Sequence, residues 1–322
     1  MRSIRKSESI SVGILISLYV LSLLLVGINY YFQIVETNIY QNTFFYLNKY
    51  VSVFINVLFL IVNSILINRV FTQRDRNIHG IYAAFVYLLV NNKIWFFNSI
   101  NNYLVSDFFI LISIYLINPQ EVKKRLDLLV FYIACFFGLG FLSGIHLVYS
   151  FIIPILIFNL FLSAHWKTWV IFILGFLVPI YFFTTISLLT DKNPFLYLRI
   201  LWDNSSYHLN QFSVSDFNVL RMGQWLNISM LINLGLILLA GLKEWNDVYF
   251  YSTRERRIAM FFFLLMFFSL INYTLIYLFY HQHSFSVLSL PYAYYLGNLV
   301  NKVSLKVKYF ILFLLFVLTV FL

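Results

Sequence analysis

The stretch IAMFFFLLMFFSLINYTLIYLFY, residues 258–280, decides the class of fold. It runs for 23 residues without a charge. A helix needs ~20 mostly apolar residues to cross the hydrocarbon core of a bilayer. Lipid offers the backbone no hydrogen-bond partner, so a run of this kind is expected to be α-helical. A membrane β-barrel strand would alternate apolar and polar residues, and this stretch does not. The rest of the chain has the same character. Of its 322 residues, 61% are hydrophobic and only 11% charged, where a soluble domain carries about 25% charged residues.

Working outward from 258–280, eleven spans are expected, near 10–32, 51–68, 78–97, 102–118, 126–143, 147–163, 168–190, 226–242, 258–280, 284–301 and 309–322. The third is interrupted by Asn91, Asn92 and Lys93 and has Val90 as its alternative end. The N-terminal MRSIRK and the run 10–32 resemble a signal peptide. That run is too long for an h-region and no small-residue cleavage site follows, so it reads as a retained first span. The fold class is therefore an all-α polytopic transmembrane helix bundle, with residues 1–322 as one integral membrane domain.

Basic residues orient the bundle, because Lys and Arg accumulate on the cytoplasmic side. With the N-terminus in the cytoplasm, 17 of the 22 basic residues fall in inner segments and the C-terminus lies outside. Lys49, Lys93, Lys192, Arg199 and Arg221 remain outside. Seven of the 12 acidic residues are inner, so the formal net charge of +10 belongs wholly to the inner side. It faces anionic lipid headgroups and gives no reason to expect nucleic acid as a partner. The single cysteine, Cys135, lies within an apolar run and makes no intrachain disulfide.

Polar chemistry gathers on the outer side. NNKIWFFNSINN, residues 91–102, reads as an exit from lipid beside the interfacial aromatics Trp95, Phe96 and Phe97. Its Asn91, Asn92 and Lys93 are candidate ligand contacts, or the polar residues of an interfacial turn. Glu36 and Asp107 are candidate catalytic carboxylates, since a carboxylate near membrane depth is costly. Glu36 suits a general base or cation ligand, and Asp107 equally suits a helix N-terminus. The outer loop 191–225 can form a short interfacial helix after Pro194. That loop supplies Arg199 and Arg221 as candidate phosphate contacts.

Other motifs carry less. His281 and His283 lack a third ligand nearby, so no metal centre is expected. Gly138, Gly140 and Gly144 read as a close helix-packing stripe. The loop 243–257, KEWNDVYFYSTRERR, reads as a solvated, positive inner loop. The chain has no phosphate-binding glycine loop, no Gly-x-Ser-x-Gly and no His-Glu-x-x-His. The sequence identifies no cofactor.

Ser106-Asp107, Lys123 to Arg125, Asp127 with Gly138, and Trp166-Lys167-Thr168-Trp169 with Gly175 and Pro179 carry a resemblance. Over residues 50–190 the chain resembles a multi-pass membrane family of the Bacteroidota whose biochemical role is not established. The resemblance implies a bacterial inner-membrane location and no particular activity. More faintly, the chain is similar to multi-spanning glycosyltransferases that use lipid-linked sugars, through its many spans, Glu36 in the first outer loop and the interfacial segment 194–203. Only one carboxylate lies between the first two spans, where that class carries an acidic pair.

Two expectations follow. The first is envelope-glycan transfer from a lipid-linked donor at the outer leaflet, with lipid-linked substrate and bilayer as partners. The alternative is a non-catalytic membrane scaffold or assembly subunit that binds other membrane proteins. A transporter is least favoured.

Overall fold

A computed structural model of the protein describes residues 12–32, 49–72, 79–92, 102–117, 119–142, 153–157, 159–160, 165–190, 228–248, 253–280 and 289–321. The fold is all-α. The helices are α1 (Val12–Phe32), α2 (Lys49–Thr72), α3 (His79–Val90), α4 (Asn102–Leu116), α5 (Pro119–Leu142), α6 (Trp166–Leu189), α7 (Ile228–Val248), α8 (Thr253–Tyr280), α9 (Ser289–Lys302) and α10 (Leu305–Phe321). A short helical piece at 153–157 lies between α5 and α6.

Among the described residues, two helices are long and apolar enough to cross a membrane, Val51–Phe71 within α2 and Trp166–Leu189, which is α6. Both leave many large apolar side chains on the outside. α2 exposes Phe54, Leu58, Ile61 and Ile65 and buries Ser52, Asn56 and Asn63. α6 exposes Val170, Ile173, Leu177 and Ile186 and buries Thr168, Gly175, Pro179 and Ser187. In water the apolar stripe turns to the core. Here α2 turns Ser52, Asn56 and Asn63 inward together with Leu60, Ile67, Val70 and Phe71, and α6 its small residues together with Phe172, while both leave large apolar side chains outside.

The chain forms two compact units, Met1–Leu104 with Ile228–Leu322, and Val105–Asn227. In the first, α9 is the central element. Eleven of its residues are buried, including Tyr292, Tyr294 and Tyr295. Its Gly297 lies against α3: a methyl added there would sit 2.6 Å from the Ala83 Cα. Tyr294 stacks on Phe262 of α8, with centroids 4.3 Å apart and planes 8° apart. Phe71 of α2 meets both rings edge-on. α7 runs antiparallel to α8, since Trp245 meets Phe263 while Gly241 faces Met266. It runs parallel to α9, with Gly241 near Tyr295 and Glu244 bonded to Asn298 and Lys302.

In the second unit α5 and α6 are parallel. Asp127 pairs with Lys167 at 2.7 Å, Gly175 faces Phe131 and Ala134, and Gly138 faces Phe176 and Pro179. Residue numbers rise together on both helices. A parallel pair requires the chain to return between them. Gly138 and Gly175 let the backbones touch, as small residues do between helices in lipid. Of the expected glycine stripe, Gly138 makes this contact, joined by Gly175 from the partner helix. Gly144 lies outside the described residues.

Several helix ends depart from the expected spans: α2 runs on to Thr72 and α5 starts at Pro119, seven residues before its expected span. α3 stops at Val90, the alternative end of the third span. α7 continues through Val248 and α8 starts at Thr253, so much of the expected loop 243–257 is helical. α10 starts at Leu305, one turn before the expected span.

Candidate functional site

α3 has 12 residues, about 18 Å at 1.5 Å per residue, and so falls short of a ~30 Å hydrocarbon core. It packs beside α2. Asn63 Nδ2 donates to the Tyr87 hydroxyl at 2.9 Å and to the Leu104 carbonyl at 2.8 Å. Tyr87 is eight residues from the start of α3 and Asn63 nine from the end of α2, the register of an antiparallel pair. Asn91 then lies about 6 Å beyond Tyr87, toward the Ser52 end of α2, and Asn56 about 10 Å beyond Asn63 in the same direction. The end of α3 therefore falls at a level between Asn63 and Asn56, alongside the polar stripe of α2.

Asn91 and Asn92 are each only 1% exposed. They are expected at an exit from lipid, and here they are covered by protein rather than open as a lip. They are interior residues, because α3 ends within the unit. The last carbonyls of a helix lack intrahelical partners. The Tyr87 carbonyl accepts twice from Asn91, from its backbone N–H at 3.2 Å and from its Nδ2 at 3.0 Å. Four side-chain atoms nearby have no hydrogen-bond partner: Asn63 Oδ1, Asn91 Oδ1, and both Oδ1 and Nδ2 of Asn92. Leaving a buried polar group unsatisfied costs about 1–3 kcal/mol. Native interiors tolerate few such groups. The four atoms lie on α2 and at the end of α3, each closed to a molecule the size of water.

Asp107 stands on α4 and is 7% exposed. It lies at the sixth position of that helix, beyond the first turn where a helix dipole favours a carboxylate most. Lys93, Glu36, Arg199 and Arg221 lie outside the described residues, as do the loop 191–225, His281 and His283. Asn91 and Asn92 share one helix end. Among the described residues no group of three metal-ligating side chains occurs.

A second polar centre escaped sequence reading. Glu244 is 3% exposed, although it falls within the expected solvated loop. Lys302 Nζ donates to its Oε2 at 2.8 Å, and Tyr294 Oη and Asn298 Nδ2 donate to its Oε1 at 3.2 Å each. Tyr294, Asn298 and Lys302 are spaced four apart on α9, one face of a helix. That spacing was the available signal. Nearby in sequence, Lys308 is buried with its Nζ 5.3 Å from the centre of the Tyr82 ring, a cation–π distance. Glu244 is thus neutralised and satisfied, the arrangement of a structural pair.

No family model matches the chain, and comparison with curated proteins and with solved structures likewise finds no match.

Proposed function

We propose that the chain is a multi-pass helical protein of a bacterial inner membrane, N-terminus in the cytoplasm and C-terminus outside, that acts on the glycan of a lipid-linked donor at the outer leaflet. The large apolar side chains that α2 and α6 leave exposed support the lipid environment. The parallel pairs α5–α6 and α7–α9 support the alternation of spans, since each pair skips one crossing. The observation that carries the catalytic part is Asp107. It is a buried carboxylate on an otherwise apolar helix, and such a group is a functional candidate by default in a membrane. Glu36, from the first outer loop, serves as the base or a metal ligand, and Asp107 as a second acid.

Two measurements test this. Reporter enzymes fused after Arg74, Asn92 and Leu322 read the topology: cytoplasmic, outside and outside are expected. Envelope-glycan profiles of strains carrying Asp107→Asn or Glu36→Gln read the chemistry. A wild-type profile in both strains removes the enzyme. A second reading, a non-catalytic assembly subunit, draws on the broad exposed face of α6, from Trp166 to Leu189. Extraction that always yields a lone monomer removes that one.

A further inference from the structure

We infer that the recess between α7 and α8 seats an acyl chain of an anionic inner-leaflet phospholipid, with the lipid phosphate at Arg256 and Arg257. This rests on the membrane reading above and is independent of glycan transfer. The recess opens within the first unit. Trp245, Met260 and Phe263 form its mouth and are 44%, 40% and 37% exposed. Gly241 and Ala259 form its walls, and Glu244 with Tyr295 of α9 its floor; all four are buried. It is shallow, a seat for the side of one chain rather than a pocket that encloses a ligand.

The lining selects the occupant. Glu244 is its one charged group, and Lys302, Tyr294 and Asn298 already bond that carboxylate. A sugar or a free cation therefore finds little to pair with. A second helix, about 10 Å across with its side chains, is too wide to enter, whereas a flexible chain fills a narrow gap. Charge selects the headgroup. Arg256 and Arg257 are exposed and stand immediately before the apolar run 258–280. Arg256 precedes Ala259, Met260 and Phe263 by three, four and seven residues, so it heads the face of α8 that lines the recess. Phe263 lies about 10 Å further along the helix, within reach of an acyl chain whose phosphate sits at the arginines. Basic pockets between spans on the cytoplasmic side take anionic headgroups, and the cytoplasmic leaflet carries the anionic lipid.

The test uses the full chain in dodecyl maltoside and follows its thermal unfolding midpoint. The probes are dioleoyl phosphatidylglycerol, dioleoyl phosphatidylcholine and glycerophosphate, an anionic headgroup without chains. Phosphatidylglycerol is expected to raise the midpoint saturably, at a half-saturating concentration about tenfold below that of phosphatidylcholine. Glycerophosphate should give no rise. Arg256→Gln with Arg257→Gln should remove the tenfold advantage, and Arg257→Gln alone part of it. Arg69→Gln with Lys306→Gln removes two exposed basic residues that do not line the recess and should leave the advantage unchanged. Gly241→Ala places a methyl in ordinary contact with Met266 and Tyr295, at 3.7 and 4.0 Å. It should fold as wild type does and weaken phosphatidylglycerol binding several-fold by filling the recess.

Equal half-saturation with the two lipids, an equal loss in the Arg69→Gln with Lys306→Gln variant, or a rise with glycerophosphate overturns the proposal. So does a Gly241→Ala variant that binds as wild type does. A midpoint that climbs with protein concentration and not with lipid would place a second copy over the recess and overturn it too. A chain that stays dissolved without detergent or lipid removes the membrane reading together with this site. A chain that integrates into the membrane and shows no preference between the lipids removes the site alone.

Discussion

Gly297 of α9 rests on the backbone of Ala83 of α3, so close that a methyl on the glycine would lie 2.6 Å from the Ala83 Cα and 2.8 Å from its nitrogen. Backbone cannot step aside as a side chain can. This contact sets how closely α9 approaches α3, and α3 in turn carries Asn91 and Asn92. Gly297→Ala should therefore destabilise the protein by about 1–3 kcal/mol through overpacking, despite alanine's better helix propensity. Gly235→Ala on α7, where a methyl meets nothing within 4 Å, should instead stabilise by up to about 1 kcal/mol. Thermal or denaturant unfolding in detergent compares the two; similar effects would remove the argument.

The α5–α6 pair makes a sharper case. At Gly138 an added methyl would lie 2.5 Å from the Phe176 carbonyl oxygen and 3.1 Å from the Pro179 ring. The closer neighbour is backbone. Gly138→Ala should be destabilising, and adding Pro179→Ala should fail to rescue it. Rescue would show that the proline ring alone limits the approach.

Glu244 and Lys302 should respond asymmetrically. Glu244 is buried while the lysine is partly open to solvent. Lys302→Met leaves a buried carboxylate without its cation and should cost about 3 kcal/mol. Glu244→Gln keeps acceptors for Tyr294 and Asn298 and lets the lysine turn outward, so it should cost less. Unfolding curves of the two variants decide this, and a larger loss for Glu244→Gln would contradict it.

Asp127 and Lys167 are joined at 2.7 Å, yet their side chains are 54% and 65% exposed. Exposed pairs contribute ~0–1 kcal/mol. Asp127→Asn should leave stability nearly unchanged. Replacing both residues with cysteine should allow a short bifunctional thiol reagent to join α5 to α6 within one molecule, as the parallel packing requires. Loss of stability comparable to that of Lys302→Met would show that the pair sits out of water.

Much of the architecture was legible in residue order. A run such as 258–280 can satisfy its backbone in lipid only as a helix, and the starts of α3 and α4 follow from local composition. The candidate site was half legible. Asn91 and Asn92 stood out as polar residues interrupting an apolar run. Asn63 did not, because a single asparagine in a span looks alike whether it faces lipid or protein. The pattern Ser52, Asn56, Asn63 on one face of α2 was a signal, but it acquires meaning only beside Tyr87.

Composition and charge spacing were enough to specify an all-α chain with apolar runs suited to a bilayer, since hydropathy and backbone hydrogen bonding act locally along the chain. Which face of each helix turns inward was decided by packing. Glu244 reads as a loop charge until α9 brings Tyr294, Asn298 and Lys302 to it, and Asn92 reads as a surface residue until α3 ends inside the fold. Burial and hydrogen-bond partnership are properties of pairs of segments far apart in sequence, so only the folded arrangement could assign them.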